Sequence, residues 1–548
     1  MACRRSRISG SLPWMIAVLL TTAVATPVNA QIQLDRFFPS AVSVGATGTV
    51  KAEGKFPSWP VEIVCDRDDV QLSAGTESGT IEFHVTERAL PGIAWVRLHD
   101  TASATTVLPL VIEREPIQIE SEPNNQPADL KSHIETPCWI AGRLEKSGDV
   151  DLFPLKLSAG QTLLATVRAN EFLRSPMDAV LQLADERGNV LAQADDVRGL
   201  DPQFVYRCPA DGVYVIRLFA FPETPNSTIG FAGASTFVYL LRMTTDPTLD
   251  HSLPLIVAES GDRQAVGFGE DLPEEQTNLS WTKNRPPVSS LPGIGGWQWH
   301  DTIPSEATFV FESATDETAF SRALPAVFSG HFQQPGEVDR VQFPVESGQR
   351  YRATVHSRKF GFEVDSVLRV IDPETGNELA SNDDASRKAY DARTEFKAER
   401  DHTIEIQVSD VVDNHGARAA YSVAIERVAP GIELLLPADR FVIDSDQPLE
   451  LKVAVNRKDG DDSTVRIWAE GLPDGVVCEP QTSKAGDDSG KLVTLKMEAK
   501  QTLSVQASFR VVGQRVDSKA QPSGSKMTAT FFAAKTFRLS DCWLSVTK

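Results

Sequence analysis

Residues 142–167, GRLEKSGDVDLFPLKLSAGQTLLATV, and residues 330–355, GHFQQPGEVDRVQFPVESGQRYRATV, align without a gap. Gly148 meets Gly336, Val150-Asp151 meets Val338-Asp339, Gly160-Gln161 meets Gly348-Gln349, and Ala165-Thr166-Val167 meets Ala353-Thr354-Val355. The correspondence continues downstream: MDAVLQLADERGNVLAQADD from Met177 parallels VDSVLRVIDPETGNELASNDD from Val364, and CPADGVYVIRL at Cys208 parallels KAERDHTIEIQV at Lys397. A segment written twice with its turns in the same order must build the same unit twice. This repeat organises everything else in the chain.

Each copy alternates short runs of Val, Leu, Ile, Phe and Thr with turn clusters such as SAGQ, DERGN and PADG, the spacing of a β-sandwich. In VYVIRL the period of two is direct: Val213, Val215 and Arg217 point one way, Tyr214, Ile216 and Leu218 the other. The flanks at 31–115 and 429–548 have strand-length runs between Gly, Asp and Pro turns, and no long amphipathic helix pattern occurs anywhere. The reading is an all-β, multi-domain array of β-sandwiches. Its expected parts are a leader at 1–30, an Ig-like sandwich at 31–115, the first repeat at 116–245, a Pro- and Gly-rich connector or small irregular domain at 246–310, the second repeat at 311–428 and an Ig-like sandwich at 429–548.

Residues 1–30 carry Arg4, Arg5 and Arg7, then the apolar WMIAVLLTTAVA, then PVNA before Gln31, the three parts of a secretory signal with cleavage expected after Ala30. The apolar run is shorter than the ~20 residues a spanning helix needs, and no later segment is long and apolar enough to span. The expected location is therefore exported: periplasmic, cell-surface or secreted. The formal charge of −21 argues against nucleic acid or an anionic membrane surface as partner, since both need basic patches. Of the cysteines after the leader, Cys138 with Cys208 and Cys478 with Cys542 could each close one domain, with Cys65 left over. None forms a CxxC pair, so structural zinc is not expected.

The doubled unit resembles the bacterial pre-peptidase C-terminal (PPC) domain. The resemblance rests on SEPNNQPADL, GRLEKSGDVDLFPLKLSAGQTL, the Met177 hairpin and PADGVYVIRL; it covers roughly 118–245 well and 311–428 less well. It implies two PPC-like jelly-roll sandwiches between Ig-like domains, the first of these similar to the TIG domain of planctomycete-type exported proteins. In the second copy ATDETAFSRAL stands where SEPNNQPADL would be, so the lead motif looks lost there. In collagen-binding relatives of the domain, acids and amides of the lead bind calcium together with aspartates of a nearby turn. The matching candidates are Glu120, Glu122, Asn124, Asn125, Asp149 and Asp151, and calcium's preference for six to eight hard oxygens suits carboxylates and amide carbonyls. The competing reading makes EPNN a linker turn whose asparagines cap backbone groups, with Asp149 and Asp151 holding a hairpin.

No Gly-x-Ser-x-Gly elbow, subtilase-like GTSMA segment or HExxH occurs, and the modules fill the length a catalytic domain would need. A non-enzyme is expected, whose partners would be extracellular polysaccharide or protein. Trp281, Trp297 and Trp299, beside Gly-rich turns, are candidate sugar-stacking rings because Trp offers a flat face with a polar edge; the alternative is that they plug the gap between domains. An accessory or targeting subunit of a secreted peptidase, with catalysis supplied by another chain, is the other functional reading.

Overall fold

The computed structural model describes residues 31–547 apart from 131, 225–229, 262, 274–277, 283–285, 313–323, 388, 445–446 and 536. The leader expected at 1–30 lies outside the described residues. The two repeats can be compared strand by strand. In the first, one sheet runs Gln203–Arg207, Thr162–Arg168, Val238–Thr244, Cys138–Arg143 and Ile117–Ile119, and faces a second made of Asp151–Leu157, Gly212–Pro222, Met177–Asp185 and Val190–Ala194. In the second, Arg393–Lys397, Arg350–His356, Ala420–Arg427, Ala326–His331 and Thr308–Phe311 face Val338–Val345, His402–Asp410, Ser366–Asp372 and Asn377–Asn382. The order is identical, down to the parallel pairing of the short leading strand in each copy.

The period of two read from sequence decides which side chains fill these sandwiches. Tyr214, Ile216 and Leu218 are buried with Leu155, Leu181 and Leu183 in the first core, and Ile404, Ile406 and Val408 take the corresponding places in the second. The first module is a sandwich of its own, with Gln33–Phe38, Thr47–Lys55, Thr80–Val85 and Val70–Ala74 over Ala41–Ser43, Leu108–Glu113, Gly92–His99 and Glu62–Cys65. At the other end, Gly431–Leu435, Leu449–Lys458, Leu492–Ala499 and Val476–Cys478 face a larger sheet centred on Ser504–Val516. The connector is built of two- and three-stranded sheets, including Thr248–Leu253 with Val266–Glu270 and Ser280–Trp281 with Val288–Ser290 and Gln298–Trp299.

The chain is thus an all-β array of sandwiches, but not beads on linkers. A shared apolar core draws Ile93 and Trp95 from the first module, Trp139 and Phe172 from the first repeat, Trp297 and Trp299 from the connector, Phe360 and Phe362 from the second repeat, and Phe537 from the last module. Residues 31–548 form one compact unit around it. Ion pairs close the same seams. Asp439 of the last module accepts from Arg97 Nη2 and from Val107 N of the first, both at 2.8 Å, Arg352 of the second repeat reaches Asp459 at 3.1 Å, and Lys535 reaches Asn170 at 2.6 Å.

Two expectations are corrected here. Trp297 and Trp299 are 3% and 4% exposed, so they have no free face for a sugar. Arg168 sits 4.1 Å over the Trp297 ring, whose Nε1 donates to Glu113 at 3.0 Å; Trp299 packs on Phe360 and Phe537. Trp281 is half-buried, its ring 4.9 Å from His300. Trp297 and Trp299 plug the seam between modules, where large aromatic area is worth most. Truncation of Trp297 to alanine should therefore cost about 3–5 kcal/mol, seen as a lower urea midpoint.

The proposed disulfides are likewise absent: Cys65, Cys138, Cys208, Cys478 and Cys542 are all free. Cys138 starts the strand Cys138–Arg143, and Cys208 follows Gln203–Arg207, with two other strands lying between them in the sheet. At about 4.8 Å per strand their separation far exceeds the roughly 4.4–6.8 Å between Cα atoms that a disulfide tolerates. Cys478 and Cys542 lie on different sheets of the last module.

Candidate metal centre

The parallel pairing of Ile117–Ile119 with Trp139–Ala141 is carried one residue further by Glu120 N, which donates to Ala141 O at 3.1 Å. That places the Glu120 side chain beside Gly142, which lies opposite Tyr239 in the sheet. A Cβ at Gly142 would stand 2.2 Å from the Tyr239 hydroxyl and 2.6 Å from Glu120 Oε2. Only glycine leaves room for the three groups that meet there.

Glu120 Oε1 accepts from Arg143 N at 2.5 Å, while the Tyr239 hydroxyl lies 2.7 Å from Glu120 Oε2 and 2.5 Å from Asp151 Oδ2. The hydroxyl has a single proton to share between two carboxylates. Glu122 completes a group of three whose ligand atoms all lie within 4.8 Å of one another. Asp149 Oδ2 accepts from Glu145 N at 2.5 Å, and Asn124 is fastened through its backbone, its O accepting from Leu152 N at 3.1 Å.

Several oxygens here are buried and have no hydrogen-bond partner among the described residues: Glu122 Oε1, Asn124 Oδ1, Asp149 Oδ1 and Asp151 Oδ1. Asn124, Asp149 and Asp151 are 5%, 1% and 0% exposed, and orphaned buried polar atoms of this kind are rare because each costs desolvation without return. Burial pushes the Asp151 carboxyl far up, with Glu120 and Asp149 adding like-charge repulsion. Burial raises Glu120 as well, and Glu122 is raised by burial and by Asp149. Burial thus favours the protonated form of Asp151, Glu120 and Glu122; a divalent cation is what would let these three ionise together. The donor set is oxygen alone, without His or Cys, which suits calcium and not zinc.

Asn125 behaves differently from the other five candidates. Its Oδ1 accepts from Val150 N at 3.2 Å and its Nδ2 points at Glu122 at 3.5 Å. It ties the lead to the turn, the capping role of the competing reading, while Glu120, Glu122 and Asp151 converge and Asn124 and Asp149 keep a buried, unpartnered side-chain oxygen.

The second repeat has more of this arrangement than its sequence suggested. Its leading strand Thr308–Phe311 ends in Glu312, whose carboxylate groups with Glu337 and Asp339 within 4.8 Å. Tyr421 OH donates to Asp339 Oδ2 at 2.6 Å, and a Cβ on Gly330 would meet Glu312 Oε2 at 2.6 Å. The equivalents of Glu120, Gly142, Asp151 and Tyr239 are therefore all present. Glu312 escapes an ungapped alignment because fewer residues separate it from Gly330 than separate Glu120 from Gly142; the usable signal is Glu-Ser directly after a strand in both copies. Glu337 Oε2 is already taken by the backbone N–H groups of Gln333 and Gln334, and the residues after Glu312 lie outside those described.

One polar cluster lay outside every sequence motif. Ser289 Oγ is 2.8 Å from His300 Nε2, Ser252 Oγ is 2.8 Å from Ser289 Oγ, and His300 Nδ1 is 2.9 Å from Pro254 O. The contacts resemble a nucleophile and its base, but Ser252, Ser289 and His300 are fully buried, and burial drives the imidazole down to about 3.

No family model matches the chain. A 101-residue stretch, 18% of this chain, is 33% identical to a "probable subtilase-type serine protease" of Deinococcus radiodurans. The match spans 14% of that protein's length. Among solved structures, the M60 catalytic domain with the CBM51-1 and CBM51-2 domains from Clostridium perfringens ZmpB aligns over 74% of this chain and 55% of its own at 9% identity, with a TM-score of 0.14. Surface layer protein SbsC, domains 1–6, aligns over 95% of this chain and 54% of its own, also at 9% identity and a TM-score of 0.14. Among the described residues no helix is long and apolar enough to cross a membrane.

Proposed function

We propose that this chain is an exported, non-catalytic module body with two PPC-like sandwiches, the first of which binds calcium, and that it acts by binding or spacing extracellular polysaccharide or protein. The observation that carries the reading is the set of buried, unpartnered oxygens on Glu122, Asn124, Asp149 and Asp151, beside the grouped carboxylates of Glu120, Glu122 and Asp151. Glu120, Glu122 and Asp151 would supply carboxylate ligands, Asp149 another and Asn124 an amide oxygen. The single shared core supports spacing, since it holds the outer modules at fixed positions. The buried Ser252–Ser289–His300 cluster reads as a structural network that satisfies itself. A second reading, an accessory part of a secreted peptidase system with catalysis on another chain, is favoured by the stretch shared with the subtilase-type protein.

The test is calorimetric titration of calcium into the chain from Gln31 onward, with thermal unfolding in parallel. One saturable binding event and a melting temperature raised by several degrees are expected, because a ligand held only by the native state stabilises it by about 2.7 kcal/mol at a hundredfold excess over Kd. Both effects should vanish in the Asp149→Ala, Asp151→Ala double variant. Heat that persists in that variant would place the ion elsewhere and sink the assignment.

A further inference from the structure

A small chamber lies where the first repeat meets the connector, walled by Leu164, Thr166, Gln203, Leu249 and Gly296 and by the side chains of Arg168, Arg198, Arg242 and Asp250. Its volume is about 20 Å³, room for a water-sized particle. Three guanidinium groups line so small a space, and Arg242 is only 4% exposed. Arg198 and Arg242 both act against the charge of Arg168, whose pKa burial lowers first.

The protein meets only part of these groups' needs. Arg168 uses Nη1 on Glu113 at 2.6 Å; Arg198 uses Nε on Gln203 and Nη2 on Asp250; Arg242 uses Nε and Nη2 on Glu115. Nη2 of Arg168 and Nη1 of Arg198 and Arg242 have no acceptor among the described residues. Charges are also unequal. Arg168 pairs with Glu113 and Arg242 with Glu115, but Arg198 and Arg418 share the single carboxylate of Asp250. In direct ion pairs, four guanidiniums thus meet three carboxylates, and Glu171 adds a further acid acting on Arg168 and Arg198.

Two further buried acids stand close to them. Burial pushes Glu113 up to about 7. Glu171 is also pushed up to about 7, by burial and then by Asp201. Asp201 is committed to the backbone N–H groups of Ala169, Asn170 and Glu171. His251, on the other side of Asp250, is lowered by burial.

We propose that this chamber is a binding site for one small monovalent anion, a halide, held by the free guanidinium arms of Arg168, Arg198 and Arg242. Chloride accepts from several N–H groups at once and is close to water in size. Its binding ties the first repeat to the connector, so the stability of that seam depends on halide and not only on ionic strength.

Two measurements on the full chain from Gln31 test this. In thermal unfolding, sodium gluconate is replaced by sodium chloride or bromide at constant ionic strength; a saturable rise of about 1–3 °C is expected. In crystals soaked in bromide, an anomalous peak is expected within hydrogen-bond reach of Arg198 Nη1 and Arg242 Nη1. Arg198→Lys keeps the positive charge facing Asp250 but removes one arm, and should abolish both effects. Should that variant fail to fold, the anomalous peak in the unsubstituted protein decides alone. A water-sized density without anomalous signal overturns the proposal, as does a halide effect with its peak elsewhere.

Discussion

Asp250→Asn should lower the stability of the whole unit by about 3–5 kcal/mol, the loss that follows when one member of a buried ion pair is removed and its partners stay charged. Asp250 is 8% exposed as a side chain. It takes Arg198 at 2.6 Å and Gln203 at 2.7 Å from the first repeat, His251 at 2.8 Å from its own connector, and Arg418 at 2.6 Å from the second repeat. The asparagine is isosteric, so shape survives while two guanidiniums lose their counter-charge. Unfolding in urea, followed by tryptophan fluorescence, measures it; a midpoint within experimental error of the parent would refute the hub role. The pH dependence has a definite sign. Burial pushes the carboxyl up, but Arg198 and Arg418 outweigh it and hold the group well below its ordinary range. Its contribution is therefore present above the unfolded carboxylate value near 4 and is lost as pH falls through the folded value.

That hub shows where reading from sequence stops. Asp250, Arg198 and Arg418 are far apart in the chain and belong to no motif, so nothing local marks them as partners. Strand identity and order were legible because the side-chain period and the turn residues recur in both copies, and a twofold repeat doubles a weak signal. The acids Glu120, Glu122, Asp149 and Asp151 were legible because they flank the repeat's own turns. Tyr239 and Tyr421 were not, because strand register sets each opposite a glycine and each meets Asp151 or Asp339 across the sandwich, from the facing sheet. The tryptophans misled for a related reason: Trp297 and Trp299 sit beside glycines that look like a surface loop, and only the arrangement of five modules around them makes that loop an interior. Pairing of the cysteines failed on geometry that spacing does not contain.

Asp151→Asn should have opposite effects on the calcium-free and calcium-bound protein, which makes it the sharper test of the metal centre. Without calcium, the fully buried Asp151 is raised by burial and by the nearby Glu120 and Asp149. A carboxyl raised in the folded state favours folding at low pH, and that advantage declines as pH climbs from the unfolded value near 4 toward the raised folded value. The calcium-free parent should accordingly lose stability progressively between about pH 4 and about pH 10 in this part of the molecule. An asparagine carries no charge, accepts the Tyr239 hydroxyl through its amide oxygen, and relieves the repulsion on Glu120. In chelator at pH 7.5 the variant should be more stable than the parent by about 1–3 kcal/mol, because the parent must take up a proton at Asp151 on folding and the asparagine need not. In saturating calcium the order should reverse, since the parent gains a ligand's binding energy and the variant has lost a central carboxylate. Protons and calcium compete for the same oxygens, so the parent's calcium affinity should rise with pH over the interval in which its calcium-free stability falls. Melting curves of both proteins, with calcium and with chelator at pH 5.5 and 7.5, contain the whole argument. A variant less stable than the parent under every condition would make Asp151 a hairpin residue and Tyr239 its partner, with no ion between them.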